Sequence, residues 1–346
     1  MREAAIAITP SKLETHVNWR SGDVQEPDTW TLYLDADDMR ELDGALRHAL
    51  ARSSNLMDIT REDFPLDRLV PKLAAIEREL IDGRGFQRIS RLDTTRYSDD
   101  ELTMLYWGIG MHLGNPWPQN KYGHVMGDVT DQGKSIGDPT ARGNELGLIA
   151  LSYHTDGSDL VGLMCLRPAK RGGLSCVANV VAIYNQMVDE RPDLVAALYA
   201  ELPWDFRGEE APGSRPYYIR PVFTEHQGRL FCRYVPSYIK ASQRHADAPR
   251  LSPLVVEALD RVMELANRPE FNVYMDLAPG EMQFINNYHV LHGRSEYEDD
   301  VANGVKRHLK RLWLSTRYLG DRPRGFEAQV HSHWDSNRSV STIKAL

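Results

Sequence analysis

Cysteine is scarce in this chain. Three residues of 346, Cys165, Cys176 and Cys232, form no C-x-x-C pair and leave an odd count. All three lie in apolar stretches, where a reduced cysteine acts as a small hydrophobe, so the pattern disfavours both a disulfide framework and a thiol nucleophile. Long hydrophobic runs are also missing. The longest, Leu160 to Leu166, is far shorter than the roughly 20 apolar residues needed to span a bilayer. The first twenty residues mix acids and bases around no long apolar stretch, so no secretory signal is expected. There is no internal repeat and no low-complexity tract. Lysine and arginine are scattered, and the net charge is −8, which argues against nucleic acid or an anionic membrane as the main partner. Together these absences predict a soluble protein of a reducing, cytoplasmic compartment. A small-molecule substrate and a homo-oligomer are both compatible with them, and one or two local arginines suffice to bind an anionic substrate.

What is present is a chain 42% hydrophobic, enough to bury a sizeable core. Helices are predicted over residues 36–52, 66–80 and 99–113, the last with Ser98 as N-cap. A short strand falls at 85–89. Residues 115–144, rich in Gly, Asp, Asn and Pro, break every periodicity and read as an active-site loop. Beyond residue 146 the texture is strand-like: 148–153, 160–166, 174–177, a hairpin formed by 221–224 and 229–234, then 271–277, 282–285 and 307–316. Helices at 180–200, with a break near Pro192, and at 253–266 interrupt it. The cluster Arg215 to Arg220 reads as a cavity entrance or a strand edge. The expected fold is mostly β with flanking helices, its strands forming a sandwich or barrel. Residues 1–80 form an N-terminal extension packed on a core domain of 81–346.

Chemistry concentrates in Tyr153-His154-Thr155-Asp156-Gly157-Ser158-Asp159. At the end of a strand, His154 and Asp156 share a face, about 6–7 Å apart at the backbone, and can converge on one ion. A third ligand must come from elsewhere, and Asp159 and His124 are available competitors. Two histidines and one carboxylate on one face of an octahedral ion leave three positions open, the arrangement of non-haem Fe(II) oxygenases.

Further along stand Phe284-Ile285-Asn286-Asn287-Tyr288-His289-Val290-Leu291-His292-Gly293-Arg294 and Lys306-Arg307-His308-Leu309-Lys310-Arg311-Leu312-Trp313. With the H-x-D motif in front, this order resembles the taurine dioxygenase / 2,4-dichlorophenoxyacetate dioxygenase (TauD/TfdA) family of clavaminate synthase-like oxygenases. The resemblance spans about residues 80–318 and implies a double-stranded β-helix (jelly roll) core, Fe(II) and 2-oxoglutarate as co-substrate. It implies that His154, Asp156 and His292 hold the iron and that Arg307 pairs with the distal carboxylate of 2-oxoglutarate. Ser175 stands where the family usually has a supporting Thr. Arg311 lies nearer the iron, on the proximal carboxylate or on an anionic substrate, and the roles of Arg307 and Arg311 are interchangeable at this level. Because Asp156 is present, halogenation is disfavoured. The implied reaction is hydroxylation or desaturation of an unactivated C–H bond by O2, with succinate and CO2 as co-products. Tyr122, His124, Asn144 and Tyr153 are candidate substrate contacts.

An arginine also suits a carboxylate on physical grounds, through its planar fork and permanent charge. In a strand Arg307, Leu309, Arg311 and Trp313 share a face. The competing assignment for the arginines is surface pairing with Glu296, Glu298 or Asp299. Two other function classes remain: a cupin-like hydrolase or isomerase using Zn(II) or Mn(II) without 2-oxoglutarate, and a non-catalytic β-sandwich binding protein.

Overall fold

Strict alternation along the strands builds the centre of the molecule. In the computed structural model, which describes residues 9–15, 17–120, 122–134, 145–147, 149–323 and 326, two sheets lie face to face. The larger runs Thr31–Tyr33, Phe86–Ser90, Met282–Asn286, Leu160–Arg167, His308–Ser315, Asn115–Pro116, with Met126–Val129 also paired to His308–Ser315. Every pairing in it is antiparallel except that of Thr31–Tyr33 with Phe86–Ser90. The smaller is antiparallel, in the order Asn272–Met275, Ser175–Asn179, Val290–Arg294, Leu151–His154.

Each strand has two destinations for its side chains. On the outer face of the larger sheet, Ile89, Leu160, Met164, Met282, Phe284, Leu312 and Leu314 pack with helices Ala36–Arg52, Leu69–Ile81 and Asp99–Leu113. On the outer face of the smaller sheet, Tyr153, Cys176, Ala178 and Leu291 pack with helices Val180–Glu190, Pro192–Leu198 and Pro253–Asn267. Between the sheets lie Phe86, Val161, Val177, Met275, Ile285, Val290 and Trp313. The order of layers is helix, sheet, sheet, helix. A one-residue slip would bring inner polar residues such as Gln283, Ser175 and His292 onto the apolar outer faces. Each fully buried Leu, Ile or Phe contributes about 1.5–3 kcal/mol, so the pattern holds the register firmly.

Helix covers as much of the described chain as strand does, so the architecture is mixed where the sequence reads as mostly β. The helices 36–52 and 99–113 form over the expected residues. Ser98 and Glu101 close a capping box at the start of the latter, supplying partners for otherwise orphaned N–H groups. The 180–200 helix divides at Pro192, as expected, into Val180–Glu190 and Pro192–Leu198. The hairpin forms from Phe223–His226 and Arg229–Cys232, and its turn residues Gln227 and Gly228 both take positive φ, 50° and 76°, as a two-residue primed turn requires. Two elements within 115–144 escaped the sequence reading, Asn115–Pro116 and Met126–Val129. Such short edge strands, bounded by turn residues, leave no periodicity to read. The N-terminal residues share one apolar cluster with the larger sheet, through Leu42, Leu46, Leu73 and Leu80, and supply its edge strand. Among the described residues, no helix is long and apolar enough to cross a membrane.

Candidate active site

The inner faces of the two sheets collect the polar residues that the outer faces exclude. His292 pairs directly with His154 across neighbouring strands, and the rings lie 4.3 Å apart between centroids. The chain leaves the strand after His154 and brings Asp156 over the same face, 3.8 Å from His154 Nε2 through Oδ1 and 3.7 Å from His292 Nε2 through Oδ2. One ligand atom from each of the three lies within 4.8 Å of the others, close enough for a single ion to touch all three.

Hydrogen bonds orient these donors. His154 Nδ1 lies 2.8 Å from the Ser152 carbonyl, so Nδ1 carries the hydrogen and Nε2 presents its lone pair. Asp156 Oδ2 accepts from Trp313 Nε1 at 2.9 Å and from Arg311 Nη1 at 3.2 Å, which leaves Oδ1 for an ion. Arg311 Nε in turn donates to Gln119 at 2.8 Å. Asn287, fully buried, clamps the turn by accepting from the Asp156 N–H at 2.8 Å and donating to the carbonyls of Asp156 and Ser158.

Charge states follow from this environment. Burial opposes ionisation of Asp156, but Arg311 and His292 outweigh it and hold its carboxyl well below the usual range. Burial, then the neighbouring His292, pushes His154 down to about 4. The unfolded chain, with His154 near 6.5, therefore binds more protons than the folded one between these values. The metal-free protein should lose stability as pH falls from about 6.5 to about 4, by up to about 3 kcal/mol from this residue. Urea denaturation of the metal-free protein across that range, set against His154→Gln, checks it. An identical slope in the variant would assign the loss to other groups.

A second cluster sits around Arg307. This side chain is buried and makes no ion pair with Glu296, Glu298 or Asp299; only its backbone N–H meets Asp299. Its Nη2 donates to the Gly173 carbonyl at 3.1 Å, while Nη1 is buried without a hydrogen-bond partner among the described residues. Gly173 is needed here: its φ is +72°, and a Cβ would stand 2.7 Å from Arg307 Nε. Burial first, then the neighbouring guanidinium of Arg294, pushes Arg307 down to about 10. Ser175, on the inner face, donates at 2.5 Å to Gln283 of the opposite sheet. Two adjacent buried cations with an orphaned donor form a site short of negative charge, which fits a dianion such as 2-oxoglutarate. The His-Asp-His donor set fits Fe(II).

The other expectations fall as follows. Asp159 is committed elsewhere, to Tyr288, the Thr316 N–H and Arg322. His124 lies on a turn with Asn120, next to the largely exposed Tyr122. Neither His124 nor Tyr122 borders the cavity beside the His-Asp-His cluster. Tyr153 belongs to that cavity's wall, but its ring packs into the outer apolar cluster with Cys176, as alternation against His154 requires. Asn144 lies outside the described residues. Tyr218 and Arg220, from the cluster at 215–220, do line the cavity. Gln119, Gln283, Asn287, Trp313 and Arg233 received no role from the sequence. For Gln283 and Trp313 the available signal was a polar or indole side chain at an inward position of an otherwise apolar strand; Gln119, Asn287 and Arg233 lie outside the strands and carry no such signal. The three cysteines are buried and free, and burial raises their thiols above the ordinary range.

A model of the family described as "Taurine catabolism dioxygenase TauD, TfdA family" matches residues 49–313. The chain is 32% identical over 321 residues to FR-33289 synthase of Streptomyces rubellomurinus, covering 91% of this chain and 92% of that protein. In fold it resembles asparagine oxygenase, solved with Fe(II), 2S,3S-3-hydroxyasparagine and succinate, at 18% identity and a TM-score of 0.62, covering 84% of this chain and 95% of that one. It also resembles the non-haem iron oxygenase OrfP, solved with Fe and alpha-ketoglutaric acid, at 16% identity and a TM-score of 0.59, covering 82% and 93%. The chain belongs to the TauD, TfdA family of Fe(II)- and 2-oxoglutarate-dependent dioxygenases.

Proposed function

We propose that His154, Asp156 and His292 hold the iron of this oxygenase and that Arg307 binds the distal carboxylate of 2-oxoglutarate, with Ser175 beside it. The facing sheets are read as the two halves of a double-stranded β-helix within residues 81–346. The segment 115–144 is read as an active-site loop on the contact of Gln119 with Arg311; its residues 121 and 135–144 lie outside the described residues. The observation that carries this reading is the convergence of three ligand atoms within 4.8 Å.

When bound, Fe(II) with 2-oxoglutarate and O2 supplies the oxidising power, the co-substrate being decarboxylated to succinate and CO2 as a substrate C–H bond is oxidised. The chain's own residues do the rest. Arg311 and His292 keep Asp156 ionised, and Arg311 and Trp313 occupy its Oδ2, so that Oδ1 would be the oxygen to hold an ion. Asn287 holds the turn between the first two ligands in one shape. Arg307 offers an unpaired donor from a buried setting, where a charge-assisted bond is strong. Arg311 is already engaged with Asp156 and Gln119, which favours Arg307 for the distal carboxylate.

The expected outcome is succinate formation from 2-oxoglutarate that requires both Fe(II) and O2, slow without substrate and accelerated by the right one. Turnover supported equally by Zn(II) without 2-oxoglutarate would return the protein to the cupin-like hydrolase class.

A further inference from the structure

A cavity of about 580 Å³ extends from His154 and Asp156 to a second wall carrying Tyr218, Arg220 and Arg233. Arg233 follows the hairpin strand Arg229–Cys232. Its neighbours Cys232 and Tyr234 both belong to the outer apolar cluster, and Arg233, between them, lies instead over the Tyr288 ring and on the lining of the cavity. The backbone here is hydrogen-bonded to the ligand turn itself, the Thr155 N–H donating to the Tyr234 carbonyl at 2.8 Å and the Tyr234 N–H to Thr155 Oγ1 at 2.9 Å. Two hydrogen bonds thus tie the residue after Arg233 to the residue between His154 and Asp156.

Arg233 is 3% exposed, and none of its three guanidinium nitrogens has a hydrogen-bond partner among the described residues. It lies over the rings of Tyr288 at 5.1 Å and Phe326 at 6.0 Å. Nearby acids do not answer it. Asp159 is taken by Arg322, Tyr288 and Thr316, Asp260 by Lys240, and Glu209, on the same cavity wall, makes no hydrogen bond to it. A buried cation with five unused N–H groups is costly in isolation and suited to an oxyanion that enters from the cavity.

We propose that Arg233 anchors the substrate, and that the molecule oxidised carries an anionic oxygen group, a carboxylate or a phosphonate or phosphate, bound to this guanidinium while its reacting carbon faces the iron. This rests on the reading of His154, Asp156 and His292 as the iron site. Arg233 then fixes which C–H bond is presented, by the distance between the anion and the reacting carbon.

The test is thermal denaturation of the metal-free full-length chain with inorganic phosphate, methylphosphonate or acetate, against chloride at equal ionic strength. It is run on wild type, Arg233→Met, Arg233→Lys and Arg307→Gln. At least one anion should raise Tm saturably in wild type and in Arg307→Gln. Apparent affinity should fall at least tenfold in Arg233→Met and partly recover in Arg233→Lys, and the best-protecting anion tells planar from tetrahedral groups. Equal responses in wild type and Arg233→Met, or no response to any anion, would overturn the proposal. Anaerobic addition of Fe(II) and 2-oxoglutarate to Arg233→Met separates the two readings. The visible charge-transfer band should form there as in wild type, and its absence from both would remove the iron reading and leave the anion titration to judge Arg233.

Discussion

Asp156→Ala is expected to weaken Fe(II) binding by more than a hundredfold and to abolish 2-oxoglutarate turnover, in a protein that still folds. The magnitude follows from what the carboxylate does. Loss of an outer hydrogen-bond partner of a metal ligand typically costs about 10–100-fold in affinity, and Asp156 is proposed as a ligand with two such partners of its own, Trp313 and Arg311. Removing it deletes the only carboxylate of the cluster and leaves the Arg311 guanidinium facing the two histidines. Two neutral imidazoles with a cation beside them are a poor site for a divalent ion. Anaerobic Fe(II) titration with circular dichroism as the folding control reads this directly. A variant that retains tight iron and turnover would mean that the ligand acid is another residue. Asp159, the nearest acid in sequence, is an unfit substitute because its carboxylate is fully enclosed by Tyr288, Thr316 and Arg322.

The second large effect is expected at Arg307. Truncating one partner of a buried hydrogen-bonded charge pair costs about 2–5 kcal/mol, so Arg307→Gln should raise the Kd for 2-oxoglutarate roughly thirtyfold to several thousandfold with iron affinity little changed. Arg307→Lys should recover little, because a point charge cannot reproduce the planar fork. The protein without co-substrate should tolerate the change well. Arg307 has no carboxylate partner to strand, and its neighbour Arg294 repels it, so Arg307→Gln should leave the Tm of the metal-free protein equal or higher. Equilibrium dialysis of 2-oxoglutarate together with thermal denaturation checks both halves. A lower Tm with unchanged 2-oxoglutarate affinity would assign Arg307 a purely structural role.

Where sequence reasoning succeeded, one physical period carried it. The helix Asp99–Leu113 is bounded by a capping box that is visible as Ser98 and Glu101, and strands such as Leu160–Arg167 and Met282–Asn286 are bounded by turn residues. The three ligand candidates do converge, although Asp156 reaches His154 from the turn after the strand and not by strand parity, while an ordered run of motifs pointed to His292. Residues that act by holding others were not legible. Asn287 matters because its side chain reaches back to the Asp156 turn, 131 positions away in sequence, and Gln119 because it meets Arg311 across 192. Such contacts depend on sheet register, which no local window contains. Arg233 looked like one polar residue at the end of a hairpin strand, and its meaning comes from what does not surround it. Tyr122 and His124 are suggested by their place in the irregular segment 115–144, and neither is on the cavity wall, His124 lying on a turn with Asn120.

The central claim, that His154, Asp156 and His292 bind iron which 2-oxoglutarate then chelates, is tested most directly by titrating the metal-free protein anaerobically with Fe(II) and then 2-oxoglutarate. A visible charge-transfer band that saturates at one equivalent of iron, and that is lost in His292→Ala, is the predicted result. Well-folded wild-type protein that shows no band, or a His292→Ala variant that shows the same one, would contradict it.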